Sequence, residues 1–334
     1  MRRLYLGSLI WLFGLGLFFV LFCGDRALSQ SFQLGLPVDC SSTDNCFILL
    51  YPDRDPSPEA LDFECGRLTY DGHKGTDFAI PDERTMERGI PVVASAPGTV
   101  LRVRDGIPDQ RLQDEGGLPP ELEGQECGNG VVIEHSGGWT TQYCHLRQGS
   151  VSVQPGDRLA TGDAIGLIGQ SGFTSFPHVH LQVAYNNRIV DPFVGSDVEP
   201  GCQSDRQPLW AEPLSYVPTG NIRSGFATQV PTLSDLWNGK FSNTELPSNS
   251  PALLFWVQTF GVLEGDIEVV ELHDPQGQIF AQNNSPIAQS QKVWMSFIGQ
   301  RVSEPLAAGN WSGHYRLERN GQVLLDLERE VVLR

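Results

Sequence analysis

His178 and His180 flank Val179 in the stretch Ser175-Phe176-Pro177-His178-Val179-His180-Leu181-Gln182-Val183. About a hundred residues upstream stands Gly72-His73-Lys74-Gly75-Thr76-Asp77-Phe78. A strand sends successive side chains to opposite faces, so the two imidazoles of the HxH pair point the same way. Joined by an upstream His and Asp, they suit a first-row metal, with zinc the expected ion. Thr141-Gln142-Tyr143-Cys144-His145-Leu146 lies between and offers a further imidazole. Four of the seven histidines thus fall in three compact motifs. One such motif alone is ordinarily a hydrogen-bonded core histidine. Three together point to chemistry.

The elements that must position these groups are strands. From residue 66 to 193 short β-runs alternate with Gly-rich turns, as in Pro91–Ala94, Thr99–Val103, Val131–Glu134, Thr140–Cys144 and His178–Ala184. This pattern is that of an all-β domain. Gly130–His135 and Trp139–His145 form an expected hairpin turning at Ser136-Gly137-Gly138. Cys127 and Cys144 flank it at opposed positions and are expected to pair, next to His145. An acidic loop rich in Gly and Pro runs from Arg104 to Cys127. Long loops in compact domains are often functional, and this one is expected to wall a groove.

Residues 30–65 are Pro-rich and read as an irregular segment wrapping the 66–200 domain. A Pro-punctuated connector, 201–219, follows. Beyond it, short β-runs return over 220–334. Ala252–Val262 is strongly apolar, Asp266–Leu272 and Gln278–Ala281 flank a turn, and Tyr315–Arg319 and Val323–Leu327 flank Asn320-Gly321. Asn-Gly between two such runs is a strong hairpin signal. The spacing suggests an immunoglobulin-like β-sandwich with no catalytic motif. Trp237, Trp256, Trp294 and Trp311 could form a sugar-stacking surface, but in a sandwich they are expected in the core.

The motifs, taken in order, resemble the M23 (lysostaphin- or LytM-like) family of zinc metallopeptidases across most of residues 66–193. The resemblance rests on His73-x-x-x-Asp77-x-Ala79-x-Pro81, Gly89-Ile90-Pro91-Val92-Val93-Ala94 and Pro97-Gly98-Thr99-Val100. It continues through Gly128-Asn129-Gly130-Val131-Val132-Ile133-Glu134-His135, Tyr143-x-His145-Leu146 and Val153-x-Pro155-Gly156-Asp157. It ends in Gly162-Asp163-Ala164-Ile165-Gly166, Gly169-x-Ser171-Gly172 and Pro177-His178-x-His180-Leu181.

The resemblance implies an antiparallel β-sheet domain with the metal in a groove over the sheet. It implies His73, Asp77 and His180 as ligands of one Zn2+, leaving a coordination position for water, the arrangement of a hydrolytic zinc. His145 and His178 match the family's two catalytic histidines, which divide proton transfer and oxyanion stabilisation between them. Tyr143, expected on the strand face of His145, reads equally as an orienting residue or as packing. His135 and Asn129 read as structural. Gln182 departs from the acidic residue many members carry there, which bears on tuning of the site rather than on the ligand set.

Arg2 and Arg3 precede an apolar run from Leu4 to Phe22, and Ala27-Leu28-Ser29 offers small residues. This reads as a signal peptide over residues 1–29, with an uncleaved anchor as the alternative. Phe22 before Cys23 argues against lipidation. The six remaining cysteines read as disulfides of an exported chain. Cys40 and Cys46 could close a small loop, and Cys65 with Cys202 follows by elimination. Twenty-three basic against forty acidic residues give a net charge of −17, which argues against a nucleic-acid partner. The expected function is an exported, periplasmic or secreted, zinc metalloendopeptidase acting on peptidoglycan peptides. The alternatives are a non-catalytic activator with the same fold and a wall-binding protein. The C-terminal domain could hold an envelope protein or glycan.

Overall fold

β-Branched and aromatic residues in short runs between Gly turns build sheets here rather than helices. The computed structural model describes residues 1, 32–38, 46–112, 117–196, 198–202 and 206–334. The expected leader, with its cleavage after Ser29, and Cys40 lie outside the described residues. Cys46 is disulfide-bonded. Among the described residues no helix is long and apolar enough to cross a membrane.

The first half holds β1 (Phe47–Leu50), β2 (Thr76–Ala79), α1 (Glu83–Arg88), β3 (Pro91–Val93), β4 (Gly98–Arg104) and β5 (Asn129–Glu134). It continues with β6 (Trp139–Leu146), β7 (Arg158–Leu159), β8 (Ala164–Leu167), β9 (His178–Tyr185) and β10 (Arg188–Val190). Eight of these strands form one sheet in the order β1-β2-β9-β6-β5-β4-β7, with β10 also paired to β9, while β3 and β8 pair separately. Every pairing is antiparallel. The expected hairpin is present as β5 and β6. The Cys127–Cys144 and Cys65–Cys202 disulfides form as expected.

The described part of residues 30–65 is largely irregular but not wholly so. Phe47–Leu50 is itself a strand of the main sheet, paired with β2. Leu34 and Val38 are buried and make isolated bridges to Trp210 and Val92. The stretch expected as a connector is also packed down. Trp210 meets Phe78 and Phe193, and Tyr216 meets Tyr51 and Phe63.

The second half holds β11 (Gly220–Ala227), α2 (Leu233–Trp237), β12 (Glu245–Leu246), β13 (Ala252–Val262), β14 (Ile267–His273) and β15 (Ile279–Pro286). β16 (Gln291–Arg301), β17 (Gly309–Arg319) and β18 (Gln322–Leu333) complete it. They make a three-stranded sheet β11-β13-β16 and a five-stranded sheet β12-β18-β17-β14-β15. At the β17–β18 turn Asn320 and Gly321 both take positive φ, as a type I′ hairpin requires.

All eleven residues of β13 are buried. Leu253, Phe255 and Val257 join the core between the two C-terminal sheets. Trp256, on the other face, packs with Leu236 of α2, and Phe260 stacks on Phe47 of the first sheet, ring centroids 5.4 Å apart. A strand covered on both faces reads as an unbroken apolar run rather than an alternating one. β13 is therefore a wall shared by two cores. Residues 32–334 cluster as one unit accordingly.

Candidate active site

The register of β2 on β9 sets Asp77 opposite His180 and Ala79 opposite His178. Residues directly opposite in an antiparallel pair share a face, so Asp77, His180 and His178 converge. His180 Nδ1 lies 2.8 Å from Asp77 Oδ1, and His73 Nε2 is 3.2 Å from both. The three candidate ligand atoms all lie within 4.8 Å of one another. His73 enters from the turn before β2 and is 3 % exposed. Gly75 clears the space for the His180 ring, since a Cβ there would stand 2.5 Å from His180 Nε2.

The chemistry of this donor set fits a cation. His73 Nδ1 is 2.7 Å from the Tyr51 carbonyl oxygen. A carbonyl only accepts, so Nδ1 carries the proton and a neutral ring presents its lone pair at Nε2. Backbone carbonyls fix metal-binding histidines in this way. Burial, the largest influence on Asp77, favours its neutral form, but His73, His178 and His180 overcome it and hold the carboxyl well below its usual range. Burial likewise works against a charge on His73, and the Asp77 carboxylate outweighs it and raises that pKa. The cluster thus calls for positive charge at its centre.

Two further imidazoles reach the same place. His178 Nδ1 lies 3.0 Å from the Phe176 carbonyl oxygen and 3.2 Å from Thr174 Oγ1, while its Nε2 stands 3.5 Å from Asp77 Oδ1. His145 Nδ1 lies 2.8 Å from the Ser171 carbonyl oxygen, and its ring centroid is 4.6 Å from that of His178. Each Nδ1–H donates to a carbonyl, so both rings keep an unprotonated Nε2. Burial is the first cause lowering both pKa values, and for His145 the neighbouring His178 and His180 add to it. Both therefore favour the neutral ring.

The five residues expected from sequence are therefore assembled in one place, but one expected neighbour is not. Tyr143 was expected on the face of His145. The register sets Tyr143 opposite Leu181 and Cys144 opposite His180, so simple alternation would turn His145 away from the metal cluster. A left-handed backbone at His145, φ 62°, brings its ring to the site instead. Tyr143 stays fully buried, and its hydroxyl accepts from the Ser95 amide at 2.7 Å. It is a packing residue.

His135 is structural as expected, its ring nitrogens engaging the Pro97 carbonyl and Thr141 Oγ1. Asn129 bonds Ile107 and Leu146 and anchors the start of the 104–127 loop. Asp105 and Asp109 tie that loop to the amides of Gly149, Val151, Gln148 and Gln170, so its described part runs along the segment that orients His145. Gln182 lies opposite Gln142, which bonds both sulfurs of the Cys127–Cys144 bridge. Sequence reasoning missed Tyr51, Ser171 and Phe176, whose carbonyls accept the histidine Nδ1 protons. A backbone carbonyl leaves no residue-type signal.

An antiparallel sheet bearing a His-x-x-x-Asp turn against a His-x-His strand defines a class of metallopeptidase. Residues 71–192, about a third of the chain, match the model of peptidase family M23. Over 119 residues it is 31% identical to the peptidoglycan DD-endopeptidase ShyA of Vibrio cholerae and 33% identical to ShyB of the same organism. Each match covers 36% of this chain and 22% of the relative, so the chain spans less than a quarter of those proteins' length. A crystal structure of a zinc containing peptidase from Vibrio cholerae aligns at 30% identity and a TM-score of 0.32, covering 46% of this chain and 37% of that one.

Proposed function

We propose that the chain is an exported zinc metalloendopeptidase that hydrolyses peptide bonds in bacterial cell-wall peptidoglycan. The observation that supports this reading best is the pair of neutral imidazoles, His145 and His178, aimed at the His73–Asp77–His180 cluster with their Nδ1 protons tied to carbonyls. His73 through Nε2, Asp77 through Oδ1 and His180 through Nδ1 would hold the ion. Zinc, when bound there, supplies Lewis acidity toward a peptide carbonyl and makes hydroxide accessible near neutral pH.

In this reading one of the two Nε2 atoms takes the proton of the attacking water. The other then stabilises the oxyanion or protonates the leaving amine. The first role needs a ring that is neutral at rest; the second needs a proton at Nε2, which that ring would first have to gain. The buried Asp77 carboxylate, 3.5 Å from His178 Nε2, favours the protonated form once it arises. The reading includes the division into a 66–200 peptidase domain, a 201–219 connector and a 220–334 accessory domain.

A non-catalytic activator would have no need of five intact site residues, so that alternative is the weaker one. A sugar-stacking role for the C-terminal tryptophans is opposed by the burial of Trp237, Trp256 and Trp311. The test is digestion of purified sacculi by the full chain, with released fragments identified by mass spectrometry. Peptide cross-links opened by the parent but not by His178→Ala support the reading. Intact sacculi with zinc-loaded parent would overturn it.

A further inference from the structure

Three rings stand in a row at the edge of the site, and the last of them comes from the second half of the chain. Phe176 packs on His178 at a centroid distance of 4.4 Å and an interplanar angle of 26°. Trp237, the last residue of α2, packs on Phe176 at 5.7 Å and 27°. Phe176 and Trp237 are both buried, at 8 % and 6 % exposure. Phe176 is also the residue whose carbonyl accepts the His178 Nδ1 proton. Anything that sets the place of Phe176 sets both the plane of the His178 ring and its tautomer.

α2 is too short to hold itself in place and is pinned by side chains from both halves. Thr232 and Asp235 close a capping box at its start. Arg223 of β11 donates to the Leu236 carbonyl and pairs with Asp82 at 2.9 Å, while Asp82 caps α1 of the peptidase region. From the 104–127 loop, Arg111 donates to Ser234 Oγ at 2.7 Å and to Asn238 Oδ1 at 2.9 Å, and it pairs with Glu83. Leu236 is fully buried against Trp256 of β13. So many fixings on five residues locate Trp237 closely.

We infer that Trp237 is a positioning residue for hydrolysis: through Phe176 it holds the His178 imidazole in its working orientation, so the C-terminal region completes the active site. The inference rests on the hydrolase reading above. It assigns the 220–334 region a part in turnover rather than in substrate capture alone. Binding at the metal cluster needs His73, Asp77 and His180, which meet the stack at His178, 3.5 Å from Asp77 Oδ1, and not at Trp237, so the effect is expected on kcat with zinc retained.

The test uses the full chain and three variants. Trp237→Leu keeps an apolar side chain but removes the flat ring; Trp237→Phe restores a ring. Trp311→Leu alters a 2 % exposed tryptophan of the C-terminal core that packs on Phe280 and serves as the matched core change. Kinetics on a soluble cross-linked peptide are read beside zinc content and the side-chain resonances of histidine-labelled protein. Trp237→Leu is expected to lower kcat about tenfold with KM within twofold and zinc unchanged, in the range by which mispositioning alone slows enzymes. It should shift the His178 ring resonances. Trp237→Phe should recover most of the rate, and Trp311→Leu should leave rate and resonances at parental values. Equal rate losses in Trp237→Leu and Trp311→Leu, or unmoved His178 resonances in Trp237→Leu, would overturn the inference. If the parent itself hydrolyses nothing, the functional reading fails, while the resonances still decide whether Trp237 orders His178.

Discussion

Asp77 in the M23 region is 3 % exposed, and Glu268 in the C-terminal region is 4 % exposed. Burial pushes both toward the neutral acid, yet the outcomes are opposite. Three imidazoles around Asp77 overcome burial and hold its carboxyl well below the usual range. Glu268 receives Trp294 Nε1 and Ser296 Oγ, each at 3.1 Å, and these neutral donors only moderate the rise that burial causes. Hydrogen bonds from neutral groups stabilise a carboxylate, but neighbours able to carry charge decide its state in a dry interior. Two all-β regions of one chain thus bury an acid each, and only one surrounds it with imidazoles.

The largest effect should come from removing the charged centre. Asp77→Ala is expected to lose bound zinc and to retain less than about 1 % of activity, since a catalytic zinc rests on three protein ligands. Elemental analysis checks this, and unchanged zinc would mean that the ligand set is wrong. His178→Ala should lower turnover by about 10²–10⁴, the usual worth of a positioned acid or base, while zinc stays bound. Loss of metal in that variant would move His178 among the ligands.

A third buried acid sharpens the comparison, because it lies in the peptidase region but away from the imidazoles. Asp191 has a cation only at 4.0 Å, Arg54, and burial raises its pKa from 3.8 to about 7 despite the Phe193 amide. Between those values the folded chain keeps a proton that the unfolded chain has released. Stability from this group is therefore fully present below about pH 4 and is lost as pH rises through about 7, by roughly 4 kcal/mol for three pKa units. In Asp191→Asn that slope should vanish, so the variant gains on the parent between pH 4 and pH 8 in denaturant titrations. Parallel curves would show that Asp191 is ionised throughout.

Glu268→Gln should have the smallest effect. Its folded pKa is also raised, so the sign is the same: the parent loses stability as pH climbs past the ordinary glutamate range, and the variant does not. The gain should be smaller than for Asp191→Asn, with hydrolysis unchanged. A loss of activity in Glu268→Gln would couple the C-terminal core to the site by a route other than Trp237.

Much of this arrangement was legible in the sequence. The HxH alternation placed His178 and His180 on one face, the hairpin around Ser136-Gly137-Gly138 opposed Cys127 to Cys144, and the Asn320-Gly321 turn marked β17 and β18. What stayed hidden was set by backbone state or by tertiary contact. A positive φ at His145 reverses the face that alternation assigns, and nothing in the residue type announces it. The carbonyls of Tyr51, Ser171 and Phe176 orient three histidines with no motif of their own. Leu233–Trp237 is too short for helical periodicity to register, so Trp237 read only as core. β1 was hidden by its Pro-rich surroundings.

The two-sided burial of β13 has a consequence for how the chain must be made. Synthesis proceeds from the N-terminus, so the peptidase strands exist before residues 252–262 emerge. Until then Phe47 lacks its stacking partner Phe260, and Leu236, next to Trp237 in α2, lacks Trp256 to pack against. The late segment Ala-Leu-Leu-Phe-Trp-Val-Gln-Thr-Phe-Gly-Val is rich in strand-forming apolar residues and uncharged, a composition that self-associates when left open. Fragments cut between residues 262 and 291 would carry this strand without its neighbour β16 and should precipitate. Completion of the last strands would then be both the step that protects the chain from aggregation and the step that arms it.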